Sequence, residues 1–172
     1  MKNELQLQGV RLTVGLASSD DLRCVADKAL NAGIYSPALA ETALFAENDL
    51  FELAPAYIKA LQELKIDYPT NEEEIIWYLL RYYIGEIDRG RLKPSDGVGK
   101  LLQEVYYHFN LYERSNKYVG DSHNIESILG DYYAFDDLGP ERYAEIEDSI
   151  LSECRKWLQH NSQPSAADGR RD

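Results

Sequence analysis

The stretch Thr70-Asn71-Glu72-Glu73-Glu74-Ile75-Ile76-Trp77-Tyr78-Leu79-Leu80-Arg81-Tyr82-Tyr83-Ile84 decides the fold class. Thr70 and Glu73 have the spacing of a capping box, and three consecutive glutamates suit the positive end of a helix. From Ile75 onward the residues are apolar nearly all round, which predicts a central helix packed on several sides. Arg81 interrupts the run, which is in any case too short to span a bilayer.

Working outward, the same helical period recurs between clear stops and starts. Gly90 closes the central helix, and Pro94, Ser95 and Asp96 open another that leads through Leu101, Leu102, Val105, Tyr106 and Phe109. Further helices are predicted around Ile125, Ile128, Leu129 and Tyr132, and after Pro140 through Ile146, Ile150, Cys154 and Trp157. Towards the N-terminus, Asp49 starts a segment in which Pro55 forces a kink or a restart. Ser36-Pro37 is a cap followed by a first-turn proline. Ser18 or Ser19 caps a helix through Leu22, Val25, Ala26 and Leu30 that Gly33 stops.

Before Ser18 the period changes. Leu5-Gln6-Leu7-Gln8 and Val10-Arg11-Leu12-Thr13-Val14 alternate, with a phase shift at Gly9. That pattern predicts a β arm with a bulge at the glycine. A lone strand has unpaired edges, so it needs a partner in the chain or in a second copy. The expected fold is mostly α: an irregular orthogonal bundle of six or seven helices with a short N-terminal β arm. The alternative is an α+β layout with a small N-terminal sheet. The corresponding organisation is an extended arm over 1–17, a helical domain over 18–159 and a polar tail over 160–172.

The 172 residues can bury a substantial core without staples. Against 30 Asp and Glu stand only 18 Lys and Arg, a formal charge of −12. Such a field repels phosphate backbones, which argues against nucleic acid, and speeds encounter with a basic partner. Cys24 and Cys154 form no metal or redox motif and read as buried free thiols. The first residues lack a continuous apolar leader, so a cytoplasmic address with no membrane association is expected.

Motifs that carry chemistry are few. Gly97-Val98-Gly99-Lys100 lacks both the earlier glycine and the closing Ser or Thr of a phosphate loop, so it reads as a helix start. Gly120-Asp121-Ser122 has the form of an esterase serine block, but no late Asp-x-x-His accompanies it. Ser122 and His123 are therefore kept as the alternative of an unrecognised hydrolase, while His123 itself reads as part of an exposed helix start. His123 and Glu126 alone are too few for a metal site, and no cofactor is expected.

Tyrosine is the outstanding signal, with thirteen in the chain. The doublets Tyr82-Tyr83, Tyr106-Tyr107 and Tyr132-Tyr133 cannot turn both rings inward on a helix. Each should therefore present one outward, beside acidic side chains. Tyr82, Tyr107 and Tyr133, with Asp131, Asp136 and Asp137, are the candidate partner-binding residues.

Three landmarks carry a family resemblance: Gly33-Ile34-Tyr35-Ser36-Pro37-Ala38-Leu39; Glu86-Ile87-Asp88-Arg89-Gly90-Arg91-Leu92-Lys93-Pro94-Ser95-Asp96-Gly97; and Lys156-Trp157-Leu158. Between about Leu22 and Leu158 the chain resembles small uncharacterised bacterial helical proteins of the toxin-immunity type. The resemblance implies a non-catalytic module that neutralises a basic toxin, and it supplies no active residues. A structural homodimer or scaffold, joined through the N-terminal strand or the tyrosines, is the other reading.

Overall fold

The computed structural model describes residues 1–46, 49–115, 117 and 121–161. All regular structure among the described residues is helical, with eight α-helices and no strand. The chain divides into two compact units, Met1–Ile75 and Ile76–Asp172. No described helix is long and apolar enough to cross a membrane.

The first unit contains α1 (Lys2–Thr13), α2 (Ser19–Asn31), α3 (Pro37–Leu44) and α4 (Leu50–Glu63). The expected β arm, and with it the α+β alternative, is overturned: the segment is α1. Tertiary contact explains the misreading. Leu5, Leu7, Gly9 and Val10 are all buried, so apolar residues surround much of the helix and mask its period. Gly9 marks a close approach and not a bulge. A Cβ there would lie 2.7 Å from Leu61 Cδ1 and 3.2 Å from the Tyr68 ring. The edge-strand route to a homodimer lapses with the strand.

Caps set the ends of the other helices in this unit. Ser18 and Asp21 form a reciprocal capping box, with Ser18 Oγ accepting from the Asp21 amide at 3.2 Å and Asp21 Oδ2 accepting from the Ser18 amide at 2.9 Å. Such a cap contributes about 1 kcal/mol. Ser36 caps α3 ahead of Pro37, and Asp49 caps α4 through the amides of Phe51 and Glu52. Glu63, at the end of α4, adds a tie by accepting from the Ala38 amide at 3.0 Å. That bond, helped by Ser36, holds its carboxyl below the usual range. Pro55 neither breaks nor restarts α4, which runs through it. The unit's core gathers Leu5, Leu22, Ala26, Leu39, Leu53, Tyr57 and Leu61. Tyr57, fully buried, donates its hydroxyl to the Leu5 carbonyl at 2.6 Å.

α5 (Glu72–Asp88) begins in the first unit and continues into the second. Its cap is Asn71, one residue after the expected Thr70: Asn71 Oδ1 accepts from the amides of Glu73 and Glu74. The second unit also contains α6 (Pro94–Leu101), α7 (Glu126–Asp137) and α8 (Tyr143–His160). Gly90, at φ +68°, ends α5 as expected. Pro94 opens α6, but Lys93 offers no side-chain cap. Glu147 of α8 does that work instead. It accepts from the Ser95 amide at 2.9 Å and pairs with Lys93 Nζ at 2.9 Å. Burial pushes the Glu147 carboxyl up, and the bonds from Ser95 and Lys93 more than offset this.

Gly97, part of the apparent phosphate loop, is explained by packing. A Cβ at this position would fall 2.4 Å from Ile87 Cγ1, and Ile87 is itself buried. Gly97→Ala should therefore destabilise the protein by about 1–3 kcal/mol in urea titrations, despite alanine's advantage of about 1 kcal/mol in a helix. Gly99 is the control. Its Cβ would sit 3.6 Å from the Tyr132 hydroxyl, so Gly99→Ala should be neutral or stabilising.

His123 is not the exposed helix start expected of it: it is 3% exposed. Its ring packs on Trp77 at 5.0 Å, and Trp77 stacks on Trp157 at 5.9 Å and 28°. Trp157 Nε1 donates to the His123 carbonyl at 2.9 Å, and the Arg81 guanidinium lies 5.3 Å from the Trp77 ring centre. The cysteines divide likewise. Cys154 is buried, and desolvation raises its thiol to about 12, whereas Cys24 is exposed, contrary to expectation.

Candidate protein-binding surface

After α6 the chain runs into a π-helical turn, Leu102–Tyr107, and then a 3-10 turn, Leu111–Arg114. The Tyr106-Tyr107 pair closes this π-helical turn. Tyr106 is 2% exposed and Tyr107 51%, their rings meeting edge to face at 5.3 Å. Asn110, in the left-handed region at φ 52°, redirects the chain so that Tyr112 packs on Tyr106 at 6.3 Å. The Tyr112 hydroxyl donates to Asn110 Oδ1 at 3.0 Å, which fixes the ring while leaving it half exposed.

α7 supplies the other side. The Tyr107 and Tyr133 hydroxyls share a hydrogen bond at 3.2 Å across 26 positions of sequence. That bond, then burial, raises the Tyr133 phenol to about 12, so it stays neutral at physiological pH. From Tyr133 the array continues edge to face through Tyr132 and Phe135 to Tyr143 at the start of α8. Seven aromatic rings thus form one chain of contacts, and four of them (Tyr107, Tyr112, Tyr133 and Tyr143) are exposed.

Asp136 and Asp137 stand exposed in the last turn of α7, which contains no basic residue. Carboxylates at the negative end of a helix cost about 0.3–1 kcal/mol each relative to a favourable end. A cationic group from outside would relieve that repulsion. Asp131 is used differently, accepting from Ser149 Oγ at 2.7 Å and joining α7 to α8. Tyr82 is half-buried on α5, its ring edge-on to Tyr83 at 5.5 Å. Of the six sequence candidates, the structure therefore brings Tyr107 and Tyr133 together, with Asp136 and Asp137 farther along the same helix. Asp131 serves as a strut, and Tyr82 packs within the α5 pair.

Tyr112, Phe135 and Tyr143 were not among the candidates. The signal for Phe135 and Tyr143 was present in sequence only as apolar residues near helix ends. Their joining depends on how α7 and α8 pack. Gly120, the first residue of the apparent serine block, and Tyr118, another of the thirteen tyrosines, lie outside the described residues.

The hydrolase alternative has a definite local geometry. Ser122 Oγ and His123 Nδ1 share a hydrogen bond at 3.0 Å. A groove of about 440 Å³ is lined by Asn124, Ser127, Glu153, Lys156, Trp157 and His160 among others, and neither Ser122 nor His123 belongs to its lining. Among the described residues no three His, Cys, Asp or Glu side chains group so as to hold a metal ion. No known protein family, curated protein or solved structure matches the chain.

Proposed function

We propose that the protein is a cytoplasmic, acidic binding module that captures a basic partner protein and neutralises it, in the manner of an immunity protein. The observation that carries this reading is the continuous aromatic array, which runs along α7 through Tyr132, Tyr133 and Phe135, the helix whose last turn also carries Asp136 and Asp137. Exposed tyrosines held by one another lose little further side-chain freedom on binding, so they suit the centre of an interface. The −12 charge supports fast encounter, and the uncompensated acidic helix end supports a cationic contact close to the rings.

The test is capture from the native host at low and moderate salt, followed by the same capture with variants. One basic protein retained in near-equal amount, and weakened by salt, is expected. Tyr107→Ala with Tyr133→Ala should weaken its binding by about 30-fold or more, the size of a hot-spot loss near 2 kcal/mol. Asp136→Asn with Asp137→Asn should chiefly slow association. Undiminished binding by all four substitutions, with unchanged circular dichroism, refutes the reading.

A further inference from the structure

How a partner would meet α7 can be read one step further, and the step rests on the function just proposed. Glu126, Gly130, Tyr133 and Asp137 recur at intervals of four, three and four residues, which places them on one helix face, and all four are exposed. Glycine inside a helix is destabilising relative to alanine, because it loses more backbone freedom on folding. Gly9 and Gly97 make room for packed side chains, and Gly90 takes a left-handed backbone. Gly130 does neither. It lies within α7, its φ is not positive, and a Cβ there would meet nothing within 4 Å. The exposed face therefore has a gap that nothing inside the protein requires. One turn farther on, Tyr133 is held beside it by the hydrogen bond shared with Tyr107.

Charge chooses among occupants. α7 contains no basic residue, and Asp136 and Asp137 in its last turn form no ion pair among the described residues. Glu126 sits at the positive end of the helix dipole and is offset by it, so the unanswered charge lies at the Asp137 end. Along the axis the face offers a gap at Gly130, a fixed phenol and then, about 10 Å from the gap, two carboxylates. A strand laid across it would leave its own amides and carbonyls unpaired, because a helix face has no free main-chain groups; a helix satisfies its own. A second copy crossing at the same glycine would set Asp137 against Glu126 or against its own counterpart, and either is repulsive. We infer that a helix of the basic partner crosses α7 at Gly130, its main chain entering the space that a side chain would fill. The missing side chain brings the two axes to the near end of the usual spacing of about 8–10 Å. A lysine or arginine farther along that helix meets Asp136 and Asp137.

The experiment has two parts, both on the full chain. The first needs no partner: Gly130→Ala should raise the unfolding temperature by about 2–4 °C, since alanine favours the helix and meets no neighbour here. The second takes the basic protein that the unmodified chain retains from the native host, purified, as the titrant in isothermal calorimetry. Gly130→Ala should weaken its binding by about tenfold and Gly130→Leu by about 100-fold, with unchanged circular dichroism. Gly99→Ala makes the same chemical change at a half-buried position on α6, opposite the Tyr132 hydroxyl, and should leave binding unaltered. A variant that is more stable yet binds more weakly is a result that a purely structural glycine would not give. A lowered unfolding temperature for Gly130→Ala would show that the protein itself needs the glycine, and overturns the inference. So does a retained partner that both Gly130 variants bind as tightly as before, an outcome that leaves the proposed function standing. Capture of nothing by the unmodified chain refutes that function and the inference with it. Self-association that Gly130→Leu abolishes also overturns the inference, since it would give the face to a second copy.

Discussion

Replacing Trp157 by alanine is expected to cost about 3–5 kcal/mol. The ring is 4% exposed, stacks on Trp77 and donates its only hydrogen bond to the His123 carbonyl. Its removal leaves a cavity between α5 and α8 and strips a buried carbonyl of its donor. Trp157→Phe separates the two effects: it keeps an aromatic ring and loses the donor, at a cost of about 1–3 kcal/mol. Urea titration followed by far-ultraviolet circular dichroism measures both. A phenylalanine variant as unstable as the alanine variant would show that the His123 bond, and not the packing, holds this corner.

Tyr57→Ala should have an effect of similar size in the first unit, again about 3–5 kcal/mol. Tyr57 is fully buried among Leu5, Leu53 and Leu61, and its hydroxyl fastens α4 to α1. Tyr57→Phe removes only the oxygen and should cost about 1 kcal/mol. Because α1 has no side-chain cap at Met1, its stability depends on this contact and on burial. The alanine variant should therefore also lose amide-exchange protection in α1 before other helices. Retained protection in α1 alongside global destabilisation would place its anchor elsewhere.

The α1 segment shows why sequence pattern misleads. Leu5 and Leu7 alternate with glutamines, which is the mark of a half-buried strand. Yet Glu4, Leu5, Gln6, Leu7, Gln8, Arg11 and Leu12 are all good helix formers, and that composition was the available warning. Burial on several sides removed the polar face that normally reveals a helical period. His123 was misread for a related reason: a histidine after Asp-Ser reads as exposed until Trp77 and Trp157 are known to enclose it.

The aromatic surface was half legible. That one ring of each tyrosine doublet must face outward follows from helix geometry, and Tyr106 buried beside exposed Tyr107 accords with it. Which outward rings meet was not legible, because Tyr107 and Tyr133 lie on separate elements. Local chemistry settled the helices: Ser18 with Asp21, Ser36 with Pro37, Asp49, Gly33 and Gly90 act within a few residues of themselves, so sequence alone determined most starts and stops. Tertiary structure alone decided the helical state of α1, the Glu147 cap on α6, the need for glycine at position 97 and the joining of seven rings into one array. Each of these depends on a partner distant in sequence, and linear spacing carries no record of which distant side chain arrives.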